Sequence, residues 1–257
     1  MVSSEIIRQV GTLTLQRPEK RNALNPEMVS DLIHHLHVLE KNDDVRVIRI
    51  KSAGNTFCSG ADLQYLQAMQ SFTMEENLED SKQLKSLFYG LYCSQKITIA
   101  QIEGHAVAGG AGLSACCDFV FASPSSYFSF SEVRIGFVPA MVMVFLQNKV
   151  GKSKTRDLLL SGRKITAKEA LDLQWLNDVF PEETMEAEVL KFADNMIKQT
   201  SPQAISQTKD MLNRLDHLST IDFLEEASKR NAMARSTEDC KKGIDAFLNK
   251  KPLQWNG

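Results

Sequence analysis

Cysteine is scarce in this chain, and none of it is spaced for chemistry. The five thiols, Cys58, Cys93, Cys116, Cys117 and Cys240, contain no C-x-x-C pair, and their odd number leaves no complete disulfide framework. Two adjacent cysteines inside an apolar run read as reduced, buried thiols of a cytosolic protein. Charge of one sign is missing too. The chain's 30 Lys+Arg stand against 32 Asp+Glu, a net charge of -2, which argues against a broad nucleic-acid or acidic-membrane surface and for a small-molecule partner. No apolar run is long enough to span a bilayer. The N-terminus, MVSSEIIRQVG, has neither a basic stretch leading into an apolar one nor an Arg-rich amphipathic pattern, so a cytoplasmic location is expected. Internal repeats and low-complexity tracts are absent from the sequence. His34, His35 and His37 lack the H-x-x-x-H spacing of a metal pair and read as a solvated helix face; no metal is expected.

What the chain does have is 257 residues with 43% hydrophobic content, enough to bury a full α/β core. Residues 6–16 alternate β-prone side chains as one strand, and Asn25-Pro26 opens a helix over 27–40. Residues 45–51 (VRVIRIK) read as a strand ending in the turn FCSGADL (57–63), where Asp62 is placed to cap the next helix. The unit then repeats: a long helical stretch through 95, a strand over 97–103, a turn at 108–110, a helix over 113–117 and a strand over 119–122. Strands alternating with helices imply crossovers, a largely parallel sheet and ligands at the strand ends. Beyond Gly151 the strand signal fades. Residues 165–176, 185–199, 202–215 and 221–234 carry helical apolar stripes, and a short helix and basic tail close the chain. The expected division is a core over 1–200 and a helical region over 201–257.

Two glycine turns carry the chemistry. In GHAVAGGAGL (104–113), Gly109 and Gly110 leave backbone N–H groups free at a helix start, and FCSGADL has the same character. Two such donors aimed at one point make an oxyanion hole for a carbonyl turning into an enolate. Glu132, among Phe128, Phe130, Val133 and Ile135, is then the base, with desolvation raising its pKa. Helix capping suffices for Asp62, and contact with a ligand would be additional. His105 reads as a packed or surface histidine, and Cys116 and Cys117 as inert core thiols.

RPEKRNALN (17–25), FCSGADL, GHAVAGGAGL, FSFSEVRIGFVP (128–139) and AFLNKKP (246–252), in that order, resemble the crotonase, or enoyl-CoA hydratase/isomerase, superfamily over nearly the whole chain. The resemblance implies an α/β fold, a crotonase-like spiral of repeated ββα units with a C-terminal helical region, assembled as a homotrimer or dimer of trimers. It implies an acyl-CoA substrate and no metal or redox cofactor, coenzyme A being part of the substrate. The matching oxyanion-hole donors are Ala61 and Gly109. Arg21, Ala23 and Leu24 match the segment that holds the CoA. Ser59, Gly60, Asp62, Leu63 and Gly110 flank the two turns as substrate-binding candidates, and Phe247 and Lys250 match an aromatic and basic pair that reaches the adenine and phosphates.

The family's hydratases place two glutamates around the double bond; here Gly112 stands at the first position and only Glu132 remains. The wording G-G-x-G-L and S-E-V-R-x-G-x-x-P-A looks like bacterial methylglutaconyl-CoA hydratase-like members. The first reading is therefore reversible hydration of a 2-enoyl-CoA, with Gly112 expected to widen the pocket for a branched acyl group. Three alternatives stay open: a single-glutamate enoyl-CoA isomerase, a decarboxylase of a branched glutaconyl thioester, and a non-catalytic acyl-CoA-binding member.

Overall fold

Each repeat of the chain supplies two strands followed by helix, and its two strands go to different sheets. The computed structural model describes residues 1–215 and 217–255. β1 (Val2–Ile7) and β2 (Val10–Leu15) form an antiparallel hairpin, then α1 (Pro26–Lys41) starts from Asn25, whose Oδ1 accepts from the Met28 N–H at 2.9 Å. The first repeat is β3 (Val47–Ser52), β4 (Thr56–Cys58), α2 (Leu63–Ala68) and α3 (Met74–Tyr92). The second is β5 (Ile97–Ile102), β6 (His105–Val107) and α4 (Gly109–Cys116); the third is β7 (Phe119–Ala122), β8 (Tyr127–Ser129) and α5 (Met143–Ser161). β9 (Lys164–Thr166), α6 (Ala167–Asp172) and β10 (Asp178–Val179) complete the sheets, and α7 (Glu182–Gln199), α8 (Pro202–Leu215), α9 (Thr220–Ser236) and α10 (Glu238–Leu248) follow.

The larger sheet has the order β1-β2-β3-β5-β7-β10, parallel from β2 onward, and the smaller has β4-β6-β8-β9. This is the expected spiral of ββα units with C-terminal helices. Of the region expected over 201–257, Asp216, Asn256 and Gly257 lie outside the described residues. No helix among the described residues is long and apolar enough to cross a membrane.

α7 covers one face of the larger sheet. Met185, Val189, Ala193 and Ile197, four residues apart, form one buried stripe against Val10, Val47, Ile97, Ile99 and Phe121. Above that stripe Arg49, 3% exposed, is held by Thr12 Oγ1, Gln101 Oε1 and, at 2.8 Å, Glu186 of α7. Burial alone would raise the Glu186 carboxyl, but Gln101, Arg49 and Lys51 outweigh it and hold the group at about 2. A lowered carboxylate stabilises the fold above its unfolded pKa and stops doing so as pH falls toward 2. Glu186→Ala strands a buried guanidinium and is expected to cost about 2 kcal/mol, read as a lower urea midpoint at unchanged m-value.

Four expectations need correction. The strand over 6–16 is the β1–β2 hairpin, turning at Arg8 and Gln9 with φ of 49° and 67°. That is the geometry of a type I′ turn, built without the Asn-Gly that announces one. The helix expected at 113 begins at Gly109. Strand structure continues past Gly151 in β9 and β10, too short to show a period. The helix over 165–176 is only α6, capped as expected by Thr166 and preceded by β9.

Candidate active site

Three parallel neighbours, β4, β6 and β8, end side by side, and each strand end carries one part of the site. β4 runs into Ser59–Asp62, β6 into Ala108–Gly109 and β8 into Phe130–Glu132. The Ala108 N–H donates to Ser129 O at 2.7 Å, tying the second end to the third.

The first two ends touch through backbone. Gly60 has φ of +86°, and a Cβ there would stand 2.7 Å from Ala108 Cβ, 3.0 Å from Val107 O and 3.4 Å from Gly109 N. Only glycine fits both the conformation and the gap. Ala61 is fixed by a parallel bridge to Leu24: the Leu24 N–H donates to Gly60 O at 2.7 Å and the Asp62 N–H to Leu24 O at 2.8 Å. In that pattern Leu24 bonds to the residues flanking Ala61, so the N–H of Ala61 itself points away from Leu24. Gly109 opens α4, where the first N–H groups have no partner within the helix and the macrodipole is positive. Ala108 before it holds φ of 50° and ψ of -121°, a strained conformation for a residue with a Cβ.

The neighbouring glycines do different work. Gly110 is buried with its Cα against the Cys58 carbonyl, which a Cβ would overlap. Gly112 is also closed in: a Cβ there would overlap Val142 Cγ1 and stand 3.3 Å from Phe88 Cζ. The space expected to widen the pocket at Gly112 is therefore filled by Val142, because the α5 start folds back onto α4.

Glu132 begins a 3-10 turn over 132–135 and is 9% exposed. Its Oε2 is buried without a hydrogen-bond partner among the described residues. Burial pushes its pKa up, against a smaller pull from its own N–H. Phe128 and Phe130 are buried beside it in sequence, both packed on Trp175, while Ile135 is 65% exposed and leaves the apolar surround expected of it.

Asp62 caps α2 by accepting from Gln64 N at 2.9 Å and Tyr65 N at 3.5 Å, and it also pairs with Arg17 Nη1 at 2.8 Å. Burial would raise its carboxyl, but Arg17 and the two N–H groups hold it below the usual range. Arg17 was not singled out from the sequence, nor was Asn22. Fully buried Asn22 accepts from the Arg17 N–H and donates to Ala53 O and Thr56 O, clamping the 17–25 loop to the β4 turn. Its left-handed φ of 52° is one that asparagine tolerates. Asp62→Ala removes the cap and the ion pair together and is expected to lower stability by about 2 kcal/mol, read by thermal melting.

Ala23 and Leu24 are buried in that loop; Arg21 is exposed, its carbonyl accepting from the Ser59 N–H. Leu63, 72% exposed, starts α2. Phe247, 83% exposed, and Lys250 stand at the surface end of α10, which packs on α9. His105 stacks on Tyr127 at 3.8 Å between ring centroids. Burial pushes the Cys117 thiol up to about 12 and raises that of Cys116.

The profile of a family described as enoyl-CoA hydratase/isomerase matches residues 5–257. A Thermus thermophilus protein, enoyl-CoA hydratase by name, is 38% identical over 243 residues, covering 95% of this chain and 96% of that one. The 2,3-dehydroadipyl-CoA hydratase of Escherichia coli is 30% identical over 251 residues, covering 97% and 96%. A solved Legionella pneumophila structure described as enoyl-CoA hydratase/isomerase (crotonase) superposes with a TM-score of 0.90 at 34% identity, covering 99% of this chain and 98% of the other.

Proposed function

The chain belongs to the enoyl-CoA hydratase/isomerase family, and from that premise we propose that it adds water reversibly to a 2-enoyl-CoA at the ends of β4, β6 and β8. The thioester oxygen lies between the N–H groups of Ala61 and Gly109. The Glu132 carboxylate takes a proton from water as the oxygen bonds to C3. The C2–C3 π electrons move toward the thioester, and the resulting enolate oxygen is held by the two N–H groups. Glu132 then returns its proton to C2, so water is added whole and the base is restored. One observation carries the reading: three adjacent strand ends carry the two backbone N–H groups and a buried carboxylate whose Oε2 has no hydrogen-bond partner among the described residues.

Arg21, Ala23, Leu24, Ser59 and Leu63 lie along the path of the CoA, with Phe247 and Lys250 meeting its adenine and phosphates in the assembled protein. Leu212, Ile221, Leu224, Met233, Phe247 and Leu248 are exposed on α8–α10, and this surface supports a trimer or dimer of trimers, for which light scattering returns three or six chain masses.

Isomerisation is the second reading, favoured by Gly112 and Val142. With no side chain reaching in from α4, Glu132 alone takes a proton from C2 of a 3-enoyl-CoA and returns it to C4, through a dienolate held by the same N–H groups. NMR in D2O with matched 2-enoyl-CoA and 3-enoyl-CoA separates the two. A 3-hydroxyacyl product with deuterium at C2 supports hydration, double-bond migration alone supports isomerisation, and no reaction with either refutes both.

A further inference from the structure

Gly109 and Gly112 lie one turn apart on the same face of α4. A Cβ on Gly109 would come to 4.0 Å from Phe88 Cζ, and one on Gly112 to 3.3 Å, so both look toward one ring. From Gly112 the approach is already closed by Val142 Cγ1. Val142 is 3% exposed and lies in one core cluster with Phe88 and Phe145. A β-branched side chain has little rotamer freedom with which to step aside. Its backbone is held as the N-cap of α5, the Leu146 N–H donating to Val142 O at 3.0 Å.

We propose that Val142 is a specificity-determining residue of this site. It seals the α4 wall one turn beyond the Gly109 N–H, so neither a second acid nor a second water approaches the substrate from that side. Glu132 is left as the one group that moves protons, and the balance between water addition and double-bond migration is set by the apolar surface at 142. This inference rests on Glu132 being the base. It has a specific consequence: a carboxylate placed at 112 gains nothing until room is made at 142.

Two measurements test it. The first is a thermal cycle of Gly112→Ala, Val142→Ala and the pair. Overlap at 142 predicts that Gly112→Ala lowers Tm in the parent and costs much less beside Val142→Ala; additive shifts overturn the packing argument. The second is the partition between hydration and isomerisation, followed by NMR in D2O. Val142→Ala with Gly112→Glu is expected to raise the hydrated fraction relative to the migrated one about 10-fold over Val142→Ala alone, a modest yield for a second acid or base. Gly112→Glu by itself is expected to give no gain. Equal gains for Gly112→Glu with and without Val142→Ala, or no gain for the pair, overturn the proposal. Val142→Thr keeps the side-chain shape and adds a hydroxyl to the wall, so it tests the same surface if the pair does not fold; an unchanged partition there also counts against it. A parent inert toward both substrates would refute the proposed function, whereas an active parent with an unmoved partition refutes the role of Val142.

Discussion

Glu132→Gln lowers kcat by about 10³, within the range for a lost general base, while acyl-CoA binding measured by calorimetry stays within a few-fold of the parent. The substitution keeps the shape of the side chain and removes only its charge and basicity. A variant that retains a tenth of parental turnover would remove Glu132 from the reaction. The parent's kcat/KM should fall on the acid side at a pH above the ordinary carboxylate range, because burial raises this group. Stability moves the other way. A carboxyl raised in the fold stabilises it below the unfolded pKa, and that contribution is lost as pH rises through the folded value. At neutral pH the parent therefore carries a buried charge that Glu132→Gln lacks, and the inactive variant melts higher, by about 2–4 °C for each kcal/mol relieved.

Gly60→Ala is the second large effect, and it touches no group that transfers protons. The new Cβ meets Ala108 Cβ at 2.7 Å and Val107 O at 3.0 Å, at a φ of +86° that alanine adopts only under strain. Strain alone costs about 1–2 kcal/mol. The larger consequence is geometric: the β4 and β6 ends are pushed apart, and with them the two N–H groups, of Ala61 and Gly109, proposed to hold the thioester oxygen. Loss of an oxyanion-hole donor costs roughly 10²–10³ in kcat, and this substitution displaces both proposed donors, so a fall of at least 10² is expected in a protein whose circular dichroism is unchanged. Parental kcat with lowered Tm would mean that Gly60 serves the turn and not the hole.

Why some of this was legible in the sequence follows from where the information lies. α1, α7, α8 and α9 announce themselves because each carries apolar residues at helical spacing and starts near a capping residue or proline. β5 and β7 are apolar runs bounded by turns. The two glycine turns and Glu132 were visible as residue types in a pattern. What a pattern cannot carry is a contact between distant segments. Val142 meets Gly112 across 30 residues, and Arg17 meets Asp62 across 45, so neither the closed pocket wall nor the ion pair was foreseeable. α5 escaped because Gly151, with φ of 73°, interrupts its period, and the first turn of α4 because glycine-rich segments have low helix propensity. Its N-terminal glycines stand where they do because Cys58 and Leu24 press against them.

Cys58 lies at the foot of the site, fully buried, its carbonyl directly beneath Gly110 and its thiol pushed up to about 12. Cys116 and Cys117 are buried at the opposite end of the same helix, beside an open cavity. An alkylating reagent can reach the first only after β4 and α4 have parted, whereas Cys93 and Cys240 are half-exposed. The Cys58 thiol therefore keeps time for the candidate site, and since it is set in the main core, the site endures as long as that core stays closed.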